Sequence, residues 1–132
     1  MNMVAQLAAL IGALIYIAVA PMQLFLIERP AVQRFLRIRA ENIADIRLWA
    51  FVVGARNLVA GLGTILGLVI LHTGNDIVRG TLVLAGCVYM FLGGIIMAVA
   101  DMRGYYPRKG DSVIGDIGSS LLPLVAITAT LT

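Results

Sequence analysis

The chain has 132 residues, the length of one ordinary domain. Its residues are 61% AVILMFWYC and only 13% charged, with net charge +3 and mean hydropathy +0.97. A water-soluble domain uses roughly 25% charged residues, so the composition excludes a soluble enzyme. One cysteine excludes a disulfide scaffold, and the apolar excess excludes a disordered tail. The chain reads as an integral membrane protein.

A spanning helix needs about 20 mostly apolar residues, and four such stretches fit. The first, residues 3–27, contains no charged side chain. It is too long for the apolar core of a signal peptide, and no Lys or Arg precedes it. It is expected to be a retained transmembrane helix, kinked near Pro21. Residues 28–47 hold the densest charge: Glu28, Arg29, Arg34, Arg37, Arg39, Glu41, Asp45 and Arg47. Val32, Phe35, Leu36, Ile43 and Ile46 alternate with them, and Pro30 suits a first helical turn. This pattern predicts an amphipathic helix in the membrane surface, broken near residues 40–42, with its arginines at the headgroups.

The second span, residues 48–71, opens at Trp49, an interfacial anchor, and contains Arg56 and Asn57. Residues 72–76 form a polar turn, in which His72 reads as a solvated residue. The third span, 77–100, carries Gly86, Cys87, Gly93 and Gly94. Residues 101–112 make a second basic loop with Arg103, Arg108 and Lys109, and place Tyr105 and Tyr106 at headgroup depth. The last span, 113–131, holds Asp116, Ser119, Ser120 and Pro123. The expected fold is an all-α, antiparallel bundle of four transmembrane helices forming a single domain. Eight of the ten Lys and Arg residues lie in the two loops 28–47 and 101–112. The positive-inside rule puts both loops in the cytoplasm of a bacterial cell, and both termini outside its inner membrane.

Chemistry-bearing residues are sparse. The single His and single Cys leave no metal or cofactor site, and Cys87 reads as a small buried hydrophobe. Ser119 and Ser120 lie outside any nucleophile elbow and read as backbone-bonding serines. Gly63 and Gly67 form a GxxxG, and Gly94 with Ala98 forms a second small pair; both let helices approach closely. The intramembrane charges are the least expected residues. A charge at a helix centre costs roughly 2.5–3.5 kcal/mol on insertion scales. Arg56 lies roughly 12 Å past Leu48 by helical rise, so it is expected to reach back toward a carboxylate. Asp116 is the first candidate and Glu28 the second, with Gln23 and Asp101 in the same cluster. Asn57 lies about 100° around the helix from Arg56 and should bridge elsewhere.

Several of these residues carry a resemblance. The run LFLIERP over residues 24–30, followed by Phe35 and Leu36, resembles the end of the first span in a family of small four-helix bacterial membrane proteins, the domain of unknown function 1304. That family's second span has a motif close to Asn-Gln-Gly-x-Tyr-Asn-Gly. Here Gly54 and Asn57 match it, while Val52, Val53 and Arg56 stand where the family has Asn, Gln and Tyr. Gly86, Cys87, Val88 and Pro123 also sit where the family has similar residues. An acidic-His pair of the family falls on Ile15 and Tyr16. The resemblance implies the four-helix architecture.

Two functions follow from the residues. The first is a non-catalytic accessory subunit that stabilises a larger membrane complex, either a transporter or a respiratory assembly. It would use the small-residue faces and the basic segment Arg29, Arg34, Arg37, Arg39 and Arg47. The alternative is a small oligomeric transporter or channel built on an Arg56–Asp116 pair. A lipid- or quinone-directed enzyme ranks third, without a nucleophile or acid–base pair. The expected partners are the lipid bilayer and other integral membrane subunits, not nucleic acid.

Overall fold

The computed structural model describes residues 1–70, 73 and 76–131. The described residues are helical, with no strand among them. Four helices are long and apolar enough to cross a membrane, which marks a multi-pass membrane protein. The turn at 72–76, including His72, lies largely outside the described residues, as does Leu71.

Helix α1 spans Met3–Leu24. Asn2 caps it by accepting the Ala5 N–H at 2.8 Å. The helix continues past Pro21, whose carbonyl accepts the Phe25 N–H at 2.9 Å where the helix stops. The first span is thus three residues shorter as helix than the apolar run, because the chain must become extended at Arg29 ahead of Pro30. Ile27 stays buried nonetheless.

The charged segment is not one helix. Helix α2 covers only Pro30–Leu36, and Arg37 ends it in the left-handed conformation at φ 59°. The Ile38 N–H then returns to the Gln33 carbonyl at 2.9 Å, closing a Schellman-type cap. A 3-10 turn, Ala40–Asn42, leads directly into α3, Ile43–Val69. The break therefore falls earlier than expected, at residues 37–39. The second long helix begins at Ile43, five residues before the apolar run. Its 27 residues reach about 40 Å at 1.5 Å each, longer than the roughly 30 Å hydrocarbon layer. Helix α4 covers Asp76–Met102 and α5 covers Val113–Leu131.

The long helices form a ring in the order α1, α3, α4, α5, each packed on its two neighbours. Helices α3 and α5 stand at opposite corners. The interior is built from small residues: Ala5, Ala8, Ala9, Ala13 and Ala20 are buried on α1, with Val83, Cys87 and Met90 facing them from α4 and Ala126 from α5. Large apolar side chains such as Leu7, Leu14, Val59, Leu66, Ile96 and Leu121 point outward. In lipid, association depends on close contact rather than on removing apolar surface from water. Small residues inside and large ones outside suit that solvent.

The closest approaches define the register. A Cβ on Gly54 would stand 2.9 Å from the Gln23 Cβ, and one on Gly61 would stand 2.7 Å from the Ile17 Cγ1. Gly67 faces Val83, Gly86 faces Thr64, Gly94 faces Ser119 and Ser120, and Gly12 faces Pro123. One long side chain crosses the diagonal. The buried Tyr16 hydroxyl donates to the Met90 carbonyl at 2.8 Å. Tyr16→Phe should cost about 1 kcal/mol, because the Met90 carbonyl keeps its helical partner; unfolding in mixed micelles measures it.

Candidate functional site

The sequence expectation of one polar cluster around Arg56 is corrected by the ring order. Arg56 sits on α3 and Asp116 on α5, at opposite corners. Equal depth in the membrane does not bring diagonal helices together. The polar residues instead fall into four separate groups.

The first is a bridge between neighbours. Asn57 Nδ2 on α3 donates to Gln23 Oε1 on α1 at 3.1 Å. Asn57 thus reaches a different helix from Arg56, and the contact sits one turn from the tight Gly54 approach. The second is a surface ion pair: Glu28 Oε1 meets Arg47 Nη2, both well exposed. Glu28 is therefore engaged by Arg47 and does not reach Arg56. An exposed pair of this kind contributes little to stability.

The third group joins α4 to α5. Asp101, buried at 7% exposure, accepts the Gly110 N–H at 3.0 Å and the Ser112 N–H at 3.1 Å. The Ser112 hydroxyl lies 2.8 Å from Asp101 Oδ2 and 2.8 Å from Asp116 Oδ2. One hydroxyl carries one proton, so it serves one carboxylate at a time. The other oxygen of Asp116, Oδ1, is buried without a hydrogen-bond partner. Burial of the Tyr106 phenol in this loop, followed by the charges of Asp116, Asp101 and Asp111, pushes its pKa above the usual tyrosine value. The loop is a carboxylate-centred clasp that fixes where α5 starts. Sequence reading missed Ser112 and gave Asp101 only a minor part. The signal was available: two aspartates 15 residues apart, bracketing a Gly-Asp-Ser turn.

The fourth group is Arg56 alone. Its side chain is exposed and makes no ion pair or hydrogen bond among the described residues. It lines a groove of about 700 Å³ between α3 and α4, together with Ala60, Gly63, Gly86 and Tyr89.

The small residues divide in the same way. Gly67 and Gly94 serve contacts inside the molecule, and Ala98 is half-buried. A Cβ on Gly63 would touch nothing within 4 Å. Of the tightly packed glycines, Gly67 belongs to the GxxxG, whereas Gly54, Gly61 and Gly86 do not. Ser119 and Ser120 bond to the backbone carbonyls of Gly115 and Asp116. Arg29, Arg34, Arg37 and Arg39 are exposed and make no ion pair among the described residues.

The family described as "Protein of unknown function (DUF1304)" matches residues 10–131. The chain belongs to that family. No curated protein and no solved structure matches it. Gly54 and Asn57, which carry the resemblance in the second span, both face α1. Arg56, where the resemblance breaks, lies in the outward groove. Those two positions are thus packing positions, and Arg56 falls on a surface.

Proposed function

We propose that the chain is a non-catalytic accessory subunit that binds and stabilises a larger membrane assembly. The observation that carries this reading is the cytoplasmic segment: Arg29, Arg34, Arg37 and Arg39 are exposed and unpaired, and Phe25 and Phe35 are exposed beside them. A basic surface studded with aromatics suits the acidic loops of a partner, and equally suits anionic headgroups worth about 1 kcal/mol per basic residue. The polar groups Asn57, Gln23 and Tyr16 are spent on contacts between helices of the same chain, which is the use expected of a packing module.

This reading takes the helices as antiparallel. Support comes from the contacts: partners on α1 fall from Gln23 to Ile17 as residues on α3 rise from Gly54 to Gly61. Partners on α4 fall from Gly86 to Val83 as α3 rises from Thr64 to Gly67. It also takes α2 as an interfacial helix, the basic loops as cytoplasmic, both termini as external and the membrane as a bacterial inner membrane, on the charge bias of the loops. Capture of the full chain from native membranes in gentle detergent, with quantitative mass spectrometry, tests the function. A stoichiometric partner complex is expected, weakened when Arg34, Arg37 and Arg39 are replaced together by glutamine. A chain that is recovered alone and drives solute flux when reconstituted overturns the reading.

A further inference from the structure

The groove between α3 and α4 is open to the lipid side and holds a charge with no partner. Trp49 and Arg56 are seven residues apart, so they share one face of α3 and differ in depth by about 10 Å. Trp49 is well exposed and marks the interface, so the Arg56 backbone lies within the hydrocarbon layer. Below it the walls are small or apolar: Ala60, Gly63 and Gly86, then Leu82 at the far end, since Val83 faces Gly67. A long arginine can extend toward the headgroups, but its five donors still need acceptors there.

We propose that this groove binds one anionic phospholipid, its phosphate on Arg56 and an acyl chain along Gly63 and Gly86. The charge decides the occupant. The carboxylates of a second copy do not suit this depth: among the described residues, Asp101 is buried and bonded to Gly110 and Ser112, Asp116 is half-buried beside Ser112, and the exposed Glu41 and Asp45 lie beyond Trp49 from Arg56. A lipid phosphate supplies an anionic acceptor at the level a raised guanidinium reaches, and arginine bonds it in bidentate geometry. The acyl chain fills a space that a flexible hydrocarbon can enter and that no side chain of this chain occupies at Gly63. The proposal does not rest on the accessory-subunit reading, which uses the cytoplasmic segment.

The test is native mass spectrometry of the full chain in detergent, titrated with dioleoyl phosphatidylglycerol or dioleoyl phosphatidylcholine. High salt, about 0.5 M, screens the exposed loop arginines. One phosphatidylglycerol per chain is expected to bind about tenfold tighter than phosphatidylcholine, and Arg56→Gln should remove that preference. Gly63→Leu blocks the groove while keeping Arg56, and should lose the bound lipid. Gly118→Leu, at an equally open position on α5, should keep it. Circular dichroism and gel filtration establish that each variant is folded. Retained preference in Arg56→Gln, or unchanged binding in Gly63→Leu, overturns the proposal. So does a dimer or a tightly held acidic protein seated through the groove.

Discussion

Gly61→Leu is expected to destabilise the fold by about 3 kcal/mol, at the upper end of overpacking costs. Gly63→Leu, two residues away on the same helix, should be neutral or slightly stabilising. The Cβ alone at Gly61 would stand 2.7 Å from the Ile17 Cγ1 and 3.0 Å from the Ala13 carbonyl oxygen. The oxygen belongs to helical backbone and cannot step aside, so α1 must move away from α3. That displacement also pulls on the Asn57–Gln23 bridge. At Gly63 nothing stands within 4 Å of a Cβ, and removing a helical glycine gains up to about 0.8–1.0 kcal/mol of propensity. Unfolding in mixed micelles, followed by circular dichroism, compares the two. Equal losses would mean that the α1–α3 seam is not where the sequence places its smallest residues.

The four spans were legible because each is a long apolar run bounded by charge, and lipid imposes helices on such runs. The start of α3 was not. Asp45 and Arg47 read as interface, yet helix continuity does not depend on depth, and residues 43–47 extend the same helix beyond the apolar run. The seam between α1 and α3 left a trace that a GxxxG search overlooks. Ala13 and Ala20 are seven residues apart on α1, as are Gly54 and Gly61 on α3. That matched seven-residue spacing is the mark of a packed seam.

The polar sites were harder to read for a different reason. Charge at equal depth narrows the candidates for an ion pair but does not say which helices are neighbours. The Arg56–Asp116 expectation failed on ring order alone. Asn57 fared better, because its angle to Arg56 is fixed by the helix it sits on and needs no knowledge of topology. Angular position within one helix is readable from sequence; the identity of the facing helix is not.

The clasp at the α4–α5 junction follows the first rule locally and gives the second large effect. Asp101→Ala should lower the melting temperature several-fold more than Asp111→Asn in the same loop. Asp101 is buried and accepts from two backbone N–H groups and one hydroxyl. Alanine leaves the N–H groups of Gly110 and the buried Ser112 without their acceptor, while the Ser112 hydroxyl keeps Asp116. Asp111 accepts only the exposed Arg108 N–H at 3.0 Å, where water can replace it. The loss should also be local in character. Hydrogen exchange should rise first at Gly110, Ser112 and the opening turn of α5, while the α1–α3 seam stays protected. Asp101→Asn keeps the shape and an acceptor oxygen but not the charge, so it should fall between the two. If Asp101→Ala melts like Asp111→Asn, the start of α5 is held by the packing of Gly94 on Ser119 and Ser120, and the carboxylate clasp is incidental to it.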